Sequence, residues 1–309
     1  MIPPVRIGVA LPNYGPLARP DTLVRLARRA EDLDVDGVWV SDHLVAPVGA
    51  RSAYPYDRRP DPKPADLAGL AEFCEPIVTL AFLAGRTSRI RLGVSAYVMP
   101  YRNPVVTAKQ VATLDALSGG RMTLAVGVGW LREEFAALEV PFAGRGRRTD
   151  DYLAVCKALW SGGAASYAGA TYRLPPVHGG PRPAQQPHPP LWIAGNTAAA
   201  IERAARHGDG WHGIDLSPAE LRPLVARVRA RVEAHGRAAP SVAITLRQLV
   251  APGGGGRRPL EGEPAAIHEQ LEAYRDAGLE YLVAGLPRTG TEDEAVRVLE
   301  DVVRVLKPS

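Results

Sequence analysis

The chain reads GVSAYVMPYRNP from Gly93 to Pro104, and this stretch has the pattern of a strand that ends in a turn. Its first half is an apolar run of strand length, and its second half turns at a proline. The segment Val105–Leu117 has the pattern of a helix, and Met122–Val128 is again apolar and of strand length. We therefore predict a strand, a returning helix and a second strand, which is the repeating unit of a parallel sheet.

The same alternation of strand-length and helix-length segments continues along the whole chain. The predicted strands are Val5–Leu11, Gly37–Val40, Ile90–Ala96, Met122–Val128, Leu191–Ala194, Gly210–Ile214, Val242–Val250 and Tyr281–Gly285. The predicted helices are Asp21–Leu33, Pro76–Arg86, Pro104–Leu117, Thr149–Trp160, Thr197–His207, Pro218–His235, Pro264–Ala277 and Thr291–Leu306. This order predicts an α/β protein with a closed (β/α)8 TIM barrel, whose functional residues follow the C-terminal ends of the strands. An open, doubly wound sheet is the alternative, but Pro12-Asn13-Tyr14-Gly15-Pro16 after the first strand lacks the glycine fingerprint of dinucleotide-binding folds.

Three long connections interrupt the repeat. Val45–Ala71 follows the second strand, Gly162–Pro189 precedes the fifth, and Pro252–Glu263, with four consecutive glycines, follows the seventh. The first and third begin at C-terminal strand ends, so they are candidate lids or substrate walls. We expect the first two to shape the substrate pocket. With no linker or internal repeat in the sequence, residues 1–309 are interpreted as a single domain.

Composition excludes several classes of function. No apolar run of about 18 residues could span a bilayer, and the first residues lack the layout of a secretion signal, so we expect a cytoplasmic protein. The net charge of +4 comes from 37 basic and 33 acidic residues scattered along the chain, which argues against nucleic-acid binding. Only Cys74 and Cys156 occur, and no histidine has metal-ligand spacing, so neither a disulfide nor a metal site is predicted.

Polar side chains after the second strand are the first candidates for chemistry. In Ser41-Asp42-His43, an aspartate can accept a hydrogen bond from a ring N–H and a histidine can exchange a proton near neutral pH. The alternative is an aspartate that caps a turn beside a surface histidine. Gly127 and Gly129, at the end of the fourth strand, allow the backbone to approach a planar ligand closely.

A second candidate is Ala194-Gly195-Asn196-Thr197, where a strand, a glycine turn and a helix N-terminus meet. Free backbone N–H groups at such a helix end form an anion site, and Thr197 adds a hydroxyl. An ordinary helix cap is the alternative.

Together with Leu114-Asp115-Ala116-Leu117-Ser118-Gly119-Gly120-Arg121, these segments resemble the bacterial-luciferase-like flavoprotein superfamily over residues 1–215, and in particular its deazaflavin-dependent branch. The resemblance implies that Asp42 faces the cofactor ring and His43 faces the substrate. It implies that Ser95-Ala96 is a bulge with a non-proline cis peptide behind the ring, and that the loop following Gly127 and Gly129 flanks the cofactor. It also implies a phosphate grip at residues 194–197 and a homodimer formed by helices beside the early strands.

The chain departs from part of that branch at Trp130. The deazaflavin-dependent sugar-phosphate and alcohol dehydrogenases place a carboxylate at this point, so the resemblance makes alcohol oxidation less expected and the pocket more apolar. Tyr14 and Tyr101 are expected, with Trp130, on the substrate side. Glu133 and Glu134 either contact the cofactor and its neighbours or simply begin a solvated helix.

The function implied by the resemblance is hydride transfer between coenzyme F420 and a small organic substrate, such as reduction of an activated C=C or C=N bond. His43 is then the proton donor or acceptor, with Glu134 or Tyr101 next in line. Two alternatives remain: a monooxygenase that uses flavin mononucleotide (FMN) with molecular oxygen, and a flavin-binding protein without turnover.

Overall fold

A computed structural model describes residues 3–57, 72–254 and 260–307. Their strands are β1 (Arg6–Ala10), β2 (Gly37–Val40), β3 (Arg91–Val98), β4 (Met122–Gly127), β5 (Ala164–Ala168), β6 (Arg173–His178), β7 (Leu191–Ala194), β8 (Gly210–Ile214), β9 (Ala243–Leu249), β10 (Ala251–Pro252), β11 (Glu261–Gly262) and β12 (Tyr281–Gly285). Eight of them close a parallel barrel in the order β1-β12-β9-β8-β7-β4-β3-β2. The predicted TIM barrel is therefore confirmed, and the open-sheet alternative is wrong.

The helices of the described residues surround this barrel. They are α1 (Pro20–Asp32), α2 (Pro76–Ala84), α3 (Pro104–Leu117), α4 (Arg132–Ala137), α5 (Arg145–Trp160), α6 (Ala198–His207), α7 (Pro218–Ala234), α8 (Pro264–Asp276) and α9 (Glu292–Leu306). The short helix α4 was not among the predicted helices, although a helix start at Glu133 and Glu134 was one of the alternatives. The predicted start of α5 at Thr149 is wrong, because Gly144 caps the helix with φ 73° and the Thr149 hydroxyl donates within the helix to the Arg145 carbonyl at 2.9 Å.

Large aromatic side chains fill the barrel and leave its C-terminal end for a site. Trp39 and Trp192 stack with ring centroids 4.7 Å apart, and Trp39 Nε1 donates to the Tyr281 hydroxyl at 3.2 Å. A Cβ atom at Gly93 would lie 2.2 Å from the Trp39 ring, so glycine is required there by packing.

Several large apolar side chains are exposed on neighbouring helices α2 and α3, namely Val78, Phe82, Val106 and Leu117. Helix α2 precedes β3 and α3 follows it, so the surface agrees in position with the expected homodimer, which stays a prediction. In the described part of the chain, no helix has both the length and the apolar character that crossing a bilayer requires.

Candidate active site

A cavity of about 830 Å³, here called the main cavity, opens among the C-terminal strand ends of the barrel. It brings together most residues predicted from the sequence: Tyr14, Asp42, His43, Ser95, Ala96, Gly127, Gly129, Trp130, Ala194, Gly195 and Thr197. The parallel barrel explains this assembly, because strand ends from distant parts of the chain share one face.

The three insertions differ in their relation to the main cavity. Tyr54, Pro55 and Tyr56 of the first insertion line it, whereas residues 58–71 lie outside the described residues. The expectation that Gly162–Pro189 shapes the pocket is wrong for this chain, because its β5–β6 hairpin lies against α5, where Asp151 accepts from the Tyr167 hydroxyl at 2.8 Å. No described residue of Pro252–Glu263 lines the main cavity, and residues 255–259 are outside the described ranges.

His43 and Glu134 form the most polar contact of the site. His43 Nδ1 lies 2.7 Å from Glu134 Oε2, and the imidazole is 16% exposed while the carboxylate is fully buried. A carboxylate only accepts hydrogen bonds, so Nδ1 carries a proton and Nε2 is left as the atom that can exchange one.

Glu134 is held as an ionised acceptor. It also accepts from Leu44 N at 2.5 Å, Val45 N at 3.2 Å and the Tyr101 hydroxyl at 2.8 Å. Burial by itself would raise the pKa of Glu134, but the hydrogen bonds from His43, Leu44 and Tyr101 outweigh it and lower the pKa. A solvated start of a helix is therefore wrong for Glu134.

Tyr101 was expected on the substrate side, but it does not line the main cavity. Its side chain is buried, packs on Phe135 with ring centroids 4.7 Å apart, and donates to Glu134. Burial and the neighbouring Glu134 raise the pKa of Tyr101, so the phenol stays a donor. It contacts the acid that orients His43 and is absent from the described lining of the main cavity.

The Asp42 carboxylate is not presented to a cofactor ring. Arg102 binds it with two hydrogen bonds of 2.8 Å, and Val98 N donates to it at 2.8 Å. Its side chain has no exposed surface. Asp42 thus holds the end of β3 through the Val98 N–H group. This corrects the expectation that it accepts a hydrogen bond from a cofactor ring.

The end of β3 has the predicted irregular geometry. The Ser95–Ala96 peptide bond is cis, and the register between β3 and β4 shifts between Ser95 and Tyr97. Both Ser95 and Ala96 line the main cavity.

Ser95 is held by a buried chain of hydrogen bonds that sequence reasoning missed. Its hydroxyl lies 2.8 Å from His212 Nε2, and His212 Nδ1 lies 2.8 Å from Thr245 Oγ1, which donates to the Trp211 carbonyl at 3.1 Å. Thr245 has one proton to give, so it accepts from Nδ1–H, and Nε2 accepts from Ser95. Burial, with Arg247 nearby, lowers the pKa of His212 to about 3, so this imidazole is neutral.

Arg247 is a second residue that sequence reasoning missed. Its guanidinium donates to the Ser95 carbonyl and, at 3.1 Å, to the Ser41 hydroxyl, and it lines the main cavity. A signal was present, because Thr245 and Arg247 occupy alternate positions of β9 and therefore share its inward face.

The loop after β4 combines tight packing with an aromatic wall. Gly129 has φ 79°, and a Cβ atom there would lie 2.7 Å from Val98 Cγ1, so packing explains this glycine without any ligand. The Trp130 ring contacts those of His43 and Tyr54, at centroid distances of 6.0 and 5.4 Å. The wall beside the proton-exchanging imidazole is thus aromatic.

Two helix N-termini reach the main cavity. Gly195 and Thr197 lead into α6, and Gly144, Arg145 and Gly146 lead into α5. The Thr197 hydroxyl caps its own helix by accepting from Ala200 N at 3.2 Å. Positive ends of two helices favour an anion, and the α5 end was missed because it was predicted to be a loop.

Side chains near these helix ends have structural partners. Asn196 Oδ1 accepts from Ile214 N at 3.0 Å, and Asn196 Nδ2 donates to the Ile214 carbonyl at 2.7 Å. The amide therefore links the ends of β7 and β8, which corrects the expectation that it binds a phosphate. Arg203 donates to Asp150 at 2.5 Å and to the Gly146 carbonyl at 3.0 Å, which fastens α6 to α5.

Comparison with known proteins gives a family match. The model of the luciferase-like monooxygenase family matches residues 4–253. An uncharacterized protein of Mycobacterium tuberculosis is 34% identical over 217 residues, which are 70% of this chain and 73% of that protein.

Two further relatives have named activities. An F420-dependent glucose-6-phosphate dehydrogenase of Amycolatopsis mediterranei is 32% identical over 215 residues, covering 67% of this chain and 58% of its own length. An FMNH2-dependent dimethylsulfone monooxygenase of Pseudomonas putida is 32% identical over 152 residues, which are 48% of this chain and 42% of that protein.

Solved structures share the fold. The monooxygenase RslO1 from Streptomyces bottropensis superposes with a TM-score of 0.78 at 20% identity, over 97% of this chain and 98% of its own. An F420-dependent secondary alcohol dehydrogenase superposes with a TM-score of 0.75 at 16% identity, over 99% and 100%.

Proposed function

The chain belongs to the luciferase-like monooxygenase family, and we propose that it transfers hydride between coenzyme F420 and a small organic substrate. The observation that carries the proposal is the buried Glu134 carboxylate 2.7 Å from His43 at the wall of the main cavity. Reduction of an activated C=C or C=N bond requires one hydride and one proton, and His43 is placed to exchange that proton.

The residues of the main cavity suit the expected cofactor. Ser95, Ala96 and Gly127 would form the floor under the ring, and the N-termini of α5 and α6 would hold the phosphate. A bound deazaflavin supplies a hydride and, having carbon where flavin has its reactive nitrogen, activates oxygen poorly.

His43 acts through the nitrogen that faces away from Glu134. Nδ1–H stays bonded to Glu134 throughout, so the imidazole keeps its orientation while Nε2 gives a proton to the substrate. The ionised Glu134 stabilises the imidazolium before the transfer, and water at the partly exposed ring restores the proton afterwards.

The substrate lies against aromatic rings in this proposal. Trp130, Tyr54 and Phe73 line the main cavity, and the last packs on His43 with centroids 5.1 Å apart. A flat, apolar substrate would stack there, within reach of one proton donor.

The decisive experiment titrates the purified protein with F420 and with FMN, followed by turnover of activated C=C and C=N compounds. We expect F420 to bind and His43→Ala to lower turnover by roughly 10²–10⁴-fold while F420 affinity is unchanged. Near-full turnover by His43→Ala would show that the proton comes from another group.

An FMN-dependent monooxygenase is the second candidate, favoured by the dimethylsulfone monooxygenase relative. The helix N-termini proposed for the phosphate would suit either cofactor. Submicromolar FMN binding without F420 binding would replace F420 by FMN as the cofactor, and oxygen-dependent turnover would then support this candidate. Binding without turnover over a broad substrate panel would favour a non-catalytic flavin-binding protein.

We also propose a homodimer through α2 and α3. Val78, Phe82 and Val106 are exposed on these helices, and burying them would stabilise the pair. Sedimentation of a clean monomer at micromolar concentration would contradict this.

A further inference from the structure

A second cavity of about 240 Å³, here called the side cavity, lies between the ends of β1 and β12 and helix α9. Three side chains, those of Tyr14, Arg247 and Arg288, line both cavities. The side cavity therefore adjoins the main cavity at two arginines and one aromatic ring.

The remaining walls of the side cavity are apolar. Leu11, Leu17, Leu286 and Val298 contribute to them, and no aspartate or glutamate is among its described lining residues. The volume corresponds to that of about eight water molecules. A small group of several heavy atoms fits, and the only formal charges it would meet among the described lining residues are positive.

The two arginines have donors to spare. Arg288 is exposed and makes no hydrogen bond or ion pair with the described residues, and among those residues Arg247 donates only to Ser95 and Ser41. A guanidinium carries five N–H donors and binds planar oxyanions well. Neither charge is neutralised by an ion pair with a carboxylate of the described part of the chain.

A row of rings leads from the boundary of the two cavities, which the arginines also line, to the proton donor. Tyr14, which lines both cavities, packs on Phe73 with centroids 4.9 Å apart, and Phe73 packs on His43 with centroids 5.1 Å apart. An aromatic body laid along this row would have one end at the arginines and the other beside His43.

We propose that Arg247 and Arg288 bind the acidic group of an anionic substrate, a carboxylate or phosphate oxyanion attached to an apolar, aromatic body. The inference rests on the proposed function and names the substrate class of the same site. The oxyanion lies between the two guanidinium groups, and the body follows Tyr14 and Phe73 toward His43.

The test measures binding to the full-length, cofactor-free protein by calorimetry. The probes are 3-phenylpropanoate, phenyl phosphate and the neutral 3-phenylpropanamide. We expect at least one anion to bind about tenfold more tightly than the amide, since a charge-assisted hydrogen bond is lost with the amide. The two anions distinguish a carboxylate from a phosphate site, and equal binding of all three probes overturns the proposal.

Variants assign the binding to the arginine. Arg288→Gln should weaken the anion about tenfold, and Arg288→Lys should restore most of the affinity because it keeps the charge. Arg304→Gln, which removes an exposed arginine of α9 paired with Asp301, is the matched control and should change nothing. Unchanged anion binding by Arg288→Gln overturns the proposal.

A final titration separates this inference from the proposed function. Anion binding that persists with F420 bound supports a substrate site, whereas displacement of the probe by F420 assigns the arginines to the cofactor and overturns it. If F420 does not bind but the anion still binds through Arg288, the cofactor assignment fails and the anion site stands.

Discussion

Glu134→Gln is the sharpest test of the proposed proton donor, because it changes charge with little change of shape. Glu134 Oε1 accepts from Leu44 N and Val45 N, and Oε2 faces His43 and Tyr101. Backbone N–H groups can only donate, so the glutamine oxygen must stay with them. The new amide group then points its N–H toward His43.

This reversal changes which imidazole nitrogen carries the proton. In the wild type Nδ1 donates to the carboxylate, whereas in the variant Nδ1 must accept from the amide and the neutral ring is protonated at Nε2. The imidazolium also loses a buried, ionised partner 2.7 Å away.

Nitrogen-15 NMR of the histidine ring identifies the protonated ring nitrogen without any substrate. A charge-assisted hydrogen bond exceeds a neutral one by about 1.5–2 kcal/mol, so turnover should fall roughly 10–30-fold. Glu133→Gln is the matched control, because the Glu133 carboxylate accepts from Arg51 N and Ser52 N and not from His43. An unchanged tautomer in a folded Glu134→Gln protein would refute the reasoning.

Three further outcomes concern stability. Gly93→Ala places a methyl group against the buried Trp39 indole and should lower the free energy of unfolding by about 1–3 kcal/mol. The control Gly85→Ala, where a Cβ atom would meet its nearest atom beyond the adjoining residues at 3.8 Å, should not lower it. Denaturant melts measure both. Arg102→Met leaves the Asp42 charge buried without its partner and should cost about 3–5 kcal/mol, against less than about 1 kcal/mol for Arg304→Met at an exposed pair. The pKa of Glu134 is lower in the folded than in the unfolded protein. The stability that its charge contributes is therefore present above about pH 4.3 and is lost as pH falls. The difference in free energy of unfolding between wild type and Glu134→Gln should accordingly shrink in acid.

The barrel could be predicted because its strands are short apolar runs with clear ends. Gly37–Val40, Leu191–Ala194, Gly210–Ile214 and Tyr281–Gly285 were predicted with the bounds that the structure has. A polar residue or a proline stands directly before each of these apolar runs. Strand ends also locate the functional face of a barrel, so most predicted site residues do line the main cavity.

The contacts that correct the site depend on directions that strand ends alone do not determine. Asp42 accepts hydrogen bonds from Arg102, which lies 60 residues further along the chain. Asn196, which follows β7, accepts from Ile214 N of the neighbouring strand β8. Tyr101 follows an irregular strand end, where the alternation of faces breaks down, and it turns inward to the acid. Each of these polar groups satisfies a buried partner, which is a requirement of the folded interior and leaves no mark on local sequence.

The choice between Glu133 and Glu134 shows where sequence reasoning ends. The two are adjacent in α4, and neighbouring residues of a helix point about 100° apart, so they cannot serve the same partner. The rotation of α4 about its axis directs Glu134 toward His43, which follows β2. It directs Glu133 toward the backbone of the first insertion at Arg51. That rotation follows from Phe135, which is fully buried against Tyr101 and anchors the helix. The acid that orients the proton donor is therefore selected by an apolar contact of its neighbour.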